Sequence, residues 1–335
     1  MNLSNKNILE SFNYCIKYYK PYHKADHWKK YNDRLKLYKS SNLKNFRNNS
    51  LSKGLDDEFS NAEIKNLFNN LNLKEKKFLL KNYKKNNIGK KKNFIKKSKI
   101  QIYGNETFAI KWYNILSKFL LSKKNNILEI GSGFGEFAEI IIKSLKNKYV
   151  IIYLPEANVL SAYYLNQNLK KKKIFIISKN QKFYLSNKIF DKYDVMIIPP
   201  WCKIDNKIQF DIIINARSMM EMNKETIKEY FSLIQSHIKV GGIFLNINRY
   251  LKKSINNKIK ICEFPYDNYW KIVKSNKAWM QNWVHMLITK RTQKKGNIKK
   301  ELKILYFYSF KYELIQLIHD INMKLKNILR KMFNI

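Results

Sequence analysis

Residues 127–141 read ILEIGSGFGEFAEII, a short apolar strand that passes through a glycine turn into a helix. The helix keeps Phe137, Ile140, Ile141 and Leu145 on one side, the period of an element packed on one face. Outward from this stretch, short apolar segments alternate with helical ones. NILEI (126–130), YVIIYL (149–154), KIFIIS (173–178), VMIIPP (195–200), FDIIIN (210–215), IFLNIN (243–248) and WVHMLITKR (283–291) read as strands. Helices are expected over Glu106–Leu121, Asn158–Leu169 and Lys224–Ile238, the last capped by Asn223 and stopped by Gly241–Gly242. This alternation implies βαβ units and a buried, mostly parallel sheet, an α/β fold.

The glycines of Gly131-Ser-Gly133-Phe-Gly135 allow a tight turn and let the backbone approach a ligand. A dinucleotide site prefers GxGxxG, and its third position here is Glu136, a carboxylate that would repel a pyrophosphate. S-adenosylmethionine carries no phosphate, and its ammonium and sulfonium suit Glu129 at the strand end. The expected cofactor contacts are therefore Glu129, Gly131, Ser132, Gly133, Phe134 and Gly135. An acid ending the second strand usually holds ribose hydroxyls, and the nearest carboxylate to YVIIYLPEANV is Glu156. A helix first-turn carboxylate stabilised by the dipole is the other reading of Glu156.

Four segments in order then carry a resemblance: the glycine loop, YLPEANVLSAYYL (153–165), FDIIINARSMMEM (210–222) and GGIFLNINRY (241–250). With them the chain resembles the sugar O-methyltransferases encoded with bacterial surface-polysaccharide genes. The resemblance covers residues 100–290 and extends more weakly through FRNNSLSKGLDD (46–57) and IYGNE (102–106). It implies a class I methyltransferase fold with an antiparallel last strand, S-adenosylmethionine as donor and a sugar hydroxyl as acceptor. One departure matters: the family's DLPE acid falls at Tyr153, so the ribose contact shifts to Glu156, a water or Tyr153 itself.

In an open α/β sheet, ligands gather beyond the carboxyl ends of the strands. Two segments deliver polar groups there: Asn215, Arg217, Ser218 and Glu221 after FDIII, and Asn246, Asn248, Arg249 and Tyr250 after IFL. Transfer to a hydroxyl needs alignment and removal of a weakly acidic proton. Glu221, the only carboxylate in either segment, is the first candidate for general base. His285, flanked by Trp279 and Trp283, is the second. Glu221 could instead cap a helix or pair with Arg217, and His285 could be a satisfied core residue. Arg217 and Arg249 could hold an acceptor carboxylate or phosphate, or form structural salt bridges. Asn215, Ser218, Asn248, Arg249 and Tyr250 are the acceptor candidates, and Tyr103, Asn105 and Glu106 could close over the cofactor. No metal is expected, because Asp205, Asp211 and Asp267 are dispersed and form no acidic pair of convincing spacing.

The 335 residues suffice for one α/β domain with helical additions, divided as a helical region 1–100, a methyltransferase domain 101–291, and a basic linker with an amphipathic helix 292–335. LYKSSNLKNFRNNSLSKGLDDEF (37–59) breaks into short amphipathic pieces, and KNNIGKKKNFIKKSK (85–99) reads as an exposed connector. Three scattered cysteines, no secretory core and no apolar run of membrane-spanning length fit a retained, cytoplasmic chain. The 66 Lys+Arg against 25 Asp+Glu give a net charge of +41, mostly lysine beside abundant Asn and Ile, the residues of A/T-rich codons. Composition therefore outweighs a nucleic-acid partner, yet so positive a surface attracts phosphate-bearing substrates and anionic lipid. Leu314, Ile318, Ile321, Leu325, Ile328 and Met332 form a helical stripe beside Lys324, Lys326, Arg330 and Lys331. It reads either as packing on the domain or as adhesion to the inner face of a membrane. The expected partner is a sugar or glycan acceptor, nucleotide- or lipid-linked. The rival functions are RNA or small-molecule methylation on the same fold, and a non-catalytic scaffold in polysaccharide assembly.

Overall fold

The strand of the glycine loop lies in the middle of an eight-stranded sheet. The computed structural model describes residues 3–18, 38–48, 51, 55, 57–82, 87–97, 100–120, 124–144, 147–254 and 257–333. The strands are β1 Asn126–Ile130, β2 Lys148–Ile152, β3 Ile174–Ile176, β4 Val195–Ile198, β5 Phe210–Ala216, β6 Ile238–Arg249, β7 Trp270–Ala278 and β8 Gln281–Arg291. Their order is β7-β8-β6-β5-β1-β2-β4-β3. Pairing is parallel from β6 through to β3, and only β8 runs antiparallel to its neighbours β6 and β7. The α/β fold with a mostly parallel sheet and an antiparallel last strand is thus as expected. The central strands are apolar on both faces because helices cover both. Register sets Asn246 abreast of Asn215 and Asn248 abreast of His285.

The long helices are α1 Asn5–Ile16, α2 Asn61–Asn69, α3 Leu73–Asn82, α4 Gly104–Leu116, α5 Glu136–Ser144, α6 Pro155–Asn168, α7 Asn187–Lys192, α8 Lys224–His237 and α9 Ile298–Phe333. Helix α4 starts two residues before the expected Glu106 and ends early, at Leu116 with Ser117 as its cap; Leu121 and Leu145 lie outside the described residues. Helix α6 starts at Pro155 rather than Asn158, since a proline at the first position lacks only an N–H the helix cannot use. Asn223 caps α8 as expected, accepting from the Thr226 amide at 2.7 Å. Gly241–Gly242 does not stop α8. The chain leaves the helix at Ile238 in an extended conformation, and the glycines fall inside β6, where pairing with β5 slips.

The edge strand β7, WKIVKSNKA, is an element the sequence reading did not name. Its lysines at 271, 274 and 277 suit an edge, where charge discourages pairing with other chains. Inside the stretch expected as a connector, Ile95–Lys97 pairs with Ile100–Ile102 in a hairpin; Lys85, Asn86, Ser98 and Lys99 lie outside the described residues. The 100/101 boundary falls within that hairpin. The N-terminal region shares the core of the sheet: Ile8, Phe12, Leu43 and Phe46 are buried in one cluster with Ile127 and Ile151. Leu3 and Asn166 of α6 exchange hydrogen bonds at 3.0 and 2.7 Å. At the other end, α9 begins within the expected linker, with Ile298 and Leu305 fully buried.

Candidate active site

Strands β1, β5 and β6 end side by side, and a cavity opens there beneath the glycine turn. Gly131 and Gly133 take φ of +76° and +60°, the left-handed region that a residue without Cβ enters freely. A Cβ on Gly131 would lie 2.2 Å from the Ser218 side chain, so the turn is pressed onto the end of β5. The Ser161 hydroxyl donates to the Gly133 carbonyl at 3.0 Å and holds the turn from the α6 side. Gly131, Ser132, Gly133 and Phe134 all line the cavity.

Glu129, on the strand leading into the turn, lines the same cavity and is almost fully buried. It accepts a hydrogen bond from the Tyr149 hydroxyl at 2.9 Å. Burial pushes its carboxyl up to about 7, against the lowering effect of that bond. A cationic ligand group would reverse the penalty, because an opposite charge favours the ionised form.

Glu136 lies at the cavity wall, but its charge is compensated: Arg47 Nη2 sits 3.0 Å away in a buried pair. The Arg47 guanidinium lies over Tyr103 at 4.5 Å and over Phe134 at 4.7 Å. Glu106 is buried nearby, its carboxyl held well above the ordinary range by burial and by Glu136. The repulsion read from Glu136 in the sequence is therefore reduced by an arginine 89 positions upstream. Of the residues expected to close over the cofactor, only Asn105 lines the cavity, whereas Tyr103 and Glu106 are buried and lie outside its lining.

Glu156 sits in the first turn of α6 and does not line the cavity, whereas Tyr153 does. The first-turn carboxylate reading of Glu156 is the one its position matches.

Glu221 closes a short 3-10 turn, Met219–Glu221, after β5 and lines the cavity. Burial raises its carboxyl to about 7, opposed by Lys252, Arg217 and Arg249. Arg217 also lines the cavity, in a left-handed backbone conformation at φ +66° that costs a non-glycine residue energy. Its guanidinium grips both carboxylate oxygens of Asp57, at 2.5 and 3.2 Å. Arg217 thus ties down the N-terminal segment instead of standing open to an acceptor anion. Arg249 lies outside the lining; burial and Arg217 lower its pKa, and its buried Nε finds no hydrogen-bond partner among the described residues.

Asn215 and Asn248 are fully buried and cannot touch an acceptor. The Asn215 amide donates to the Ile130 carbonyl at 2.8 Å, and that of Asn248 donates to Asn215 Oδ1 at 2.8 Å. Asn248 Oδ1 accepts from the Met220 amide at 3.1 Å, and Ser218 donates to the Ile130 carbonyl at 2.9 Å. These side chains fix the turn that presents Glu221, while Ser218 also faces the cavity. Tyr250 and His285 lie apart from it. The Tyr250 hydroxyl meets His285 Nδ1 at 3.0 Å, and Ser275 meets Nε2 at 2.8 Å. With both nitrogens engaged and burial lowering its pKa to about 4, His285 is a neutral structural residue and not the base. Tyr250 stacks on Tyr312 of α9 at 5.1 Å, which accounts for its burial.

Asp57, Leu55, Tyr149, Phe108 and Trp112 are the site residues the sequence reading passed over. Leu55 and Asp57 line the cavity beside the glycine turn, with the Leu55 carbonyl 3.5 Å from where a Gly133 Cβ would stand. The cavity holds about 150 Å³. Among the described residues no group of His, Cys, Asp and Glu side chains could hold a metal.

No protein-family model matches the chain, and no curated protein does. Among solved structures it is similar to an O-methyltransferase family 2 protein from Planctomyces limnophilus DSM 3776 in complex with apigenin. Identity there is 12% and the TM-score 0.36, over 56% of this chain and 57% of that one. It is also similar to the mitomycin 7-O-methyltransferase MmcR, at 10% identity and a TM-score of 0.35 over 56% and 57%. A S-adenosylmethionine-dependent methyltransferase from Clostridium acetobutylicum ATCC 824 matches at 10% identity and 0.38, over 57% of this chain and 93% of that one. The chain spans little more than half the length of the first two. At such identities and scores these likenesses decide nothing about the reaction.

Proposed function

We propose that the chain is a methyltransferase that uses S-adenosylmethionine to methylate a sugar hydroxyl in surface-glycan biosynthesis. The observation that carries this reading is that one cavity is lined by two buried carboxylates both raised to about 7: Glu129, on the strand entering the glycine turn, and Glu221, after β5. The first suits a cationic donor; the second suits a proton acceptor near neutral pH. S-adenosylmethionine, when bound, supplies an electrophilic methyl group on a sulfonium. Gly131 and Gly133 would leave room for it, Glu129 would meet its ammonium, and Tyr153, also in the lining, would be the ribose contact. Glu221 takes the proton from the acceptor hydroxyl, and Lys252, Arg217 and Arg249 stabilise its ionised form. The sugar assignment rests on the four sequence segments and their order.

Calorimetric titration with S-adenosylmethionine tests the donor: absence of heat at millimolar cofactor sinks the enzyme reading. Transfer of labelled methyl onto a host surface-glycan extract, followed by linkage analysis, tests the acceptor. Label on RNA in place of glycan would keep the donor and replace the sugar.

A further inference from the structure

Helix α9 turns two unlike faces outward and inward. Leu305 and Ser309 are fully buried, and the Ser309 hydroxyl donates to the Tyr250 carbonyl at 2.9 Å. At 3.6 residues per turn, Phe307, Leu314, Ile318, Ile321, Leu325 and Ile328 fall on the opposite side. All six are about half exposed or more, Phe307 reaching 71%. The stripe that could have packed on the domain therefore points away from it. The side chains of Arg330, Lys331 and Met332 lie outside the described residues.

Charge is sorted the same way. The three acids of α9 lie toward the domain and are held there: Glu301 by Ser275, Glu313 by Lys258 and Lys260, and Asp320 by Lys253 at 3.8 Å. The outward face carries no acid, and Lys324 and Lys326 are exposed beside its stripe.

We infer that the outward face of α9 lies in the plane of an anionic lipid bilayer, its apolar stripe at acyl depth and its lysines among the headgroups. A helix of this kind, apolar on one face and lysine-rich beside it, rests in the membrane interface. No helix among the described residues is long and apolar enough to cross a membrane. A second copy of the helix would need only a narrow seam. Here Ile315 and Leu317, each 50% exposed, stand about 160° apart across the stripe, so the apolar arc is far wider. Tyr306, Phe307, Tyr308 and Phe310, exposed at the domain end, suit the headgroup boundary that aromatic rings favour. The inference is independent of methyl transfer, and its test reads no methylation.

The test is co-sedimentation of the full chain with vesicles of phosphatidylcholine alone and of phosphatidylcholine doped with phosphatidylglycerol. Wild type should bind the doped vesicles, weaken with added salt, and bind neutral ones far less. Replacing four stripe residues together (Leu314→Ser, Ile318→Ser, Ile321→Ser, Leu325→Ser) should cut partitioning by about a hundredfold or more. These side chains are exposed, so thermal unfolding should be unchanged. Lys324→Glu with Lys326→Glu should weaken binding to doped vesicles only. Absence of binding, equal binding to neutral vesicles, or unaltered binding of the quadruple variant would each overturn the inference. So would a wild-type dimer in sedimentation equilibrium that ignores vesicles and dissociates in the quadruple variant.

Discussion

Glu221 and His285 began as rival bases and end with opposite electrostatics. Burial moves Glu221 up to about 7 and His285 down to about 4, so of these two only Glu221 changes charge near neutrality, and only it faces the cavity. The proton acceptor must be ionised, so turnover at saturating donor should rise as pH increases through about 7 and then level off. Glu221→Gln should lower kcat by roughly 10²–10⁴-fold, remove that limb and leave donor affinity unchanged. A limb that persists in the variant assigns the proton to another group. Two neighbouring glycines separate fold from binding in the same spirit. Gly131→Ala places a Cβ 2.2 Å from Ser218, whose hydroxyl is already held by Asn215 and Ile130, so the melting temperature should fall sharply. The Cβ of Gly133→Asp would meet nothing closer than the Leu55 carbonyl at 3.5 Å. Its left-handed φ is one that aspartate tolerates, at about 1 kcal/mol. That variant should fold and show no donor heat in calorimetry; normal heat would mean the turn is not the donor site.

At the scale of elements, the sheet was legible in the sequence because its central strands are short, apolar and bounded by helical periods. Strand β7 was not: WKIVKSNKA faces the core on too few positions to show an apolar run, and its lysines resemble a loop. The Gly241–Gly242 pair misled because α8 passes straight into extended backbone at Ile238 and needs no left-handed cap. The site was half legible. Glu129, the glycines and Glu221 lie at strand ends, where position alone points to function. Arg47 and Asp57 act across 89 and 160 residues, and such pairs leave no local pattern. Asn215 and Asn248, at the ends of β5 and β6, are buried as a frame instead of lining the cavity, because a buried frame and a substrate contact use the same side chains. Arg47 shows what the N-terminal elements contribute. It is the cation beside Glu136, with the buried Glu106 close by, and two rings cover its guanidinium. Removing one partner of a buried pair strands the other charge, so Arg47→Met should cost about 3–5 kcal/mol in denaturant unfolding. A double variant, Arg47→Met with Glu136→Gln, should recover much of the loss; equal instability would show that packing against Tyr103 and Phe134 dominates.

Over the whole molecule, these buried groups set how stability depends on pH. Glu129 and Glu221 ionise near 7 when folded but near 4.5 when unfolded. Between those values the unfolded chain holds fewer protons, so each carboxyl makes stability fall as pH rises. Glu106, held well above 4.5, acts in the same direction. His285 does the reverse: it titrates near 6.5 unfolded and near 4 folded, so it makes stability rise with pH across that window. Three carboxyls outweigh one imidazole, and the chain should lose stability from about pH 4.5 to 7 in salt sufficient to screen its net charge of +41. His285→Gln removes the opposing slope and should steepen the fall. Saturating S-adenosylmethionine should flatten it, because a cation beside Glu129 restores its ordinary ionisation. Melting temperatures at half-unit steps of pH, with and without donor, decide this. A curve that rises towards neutral pH without donor would show that Glu129 and Glu221 stay ionised in the fold, and would take from Glu221 the pH limb predicted for turnover.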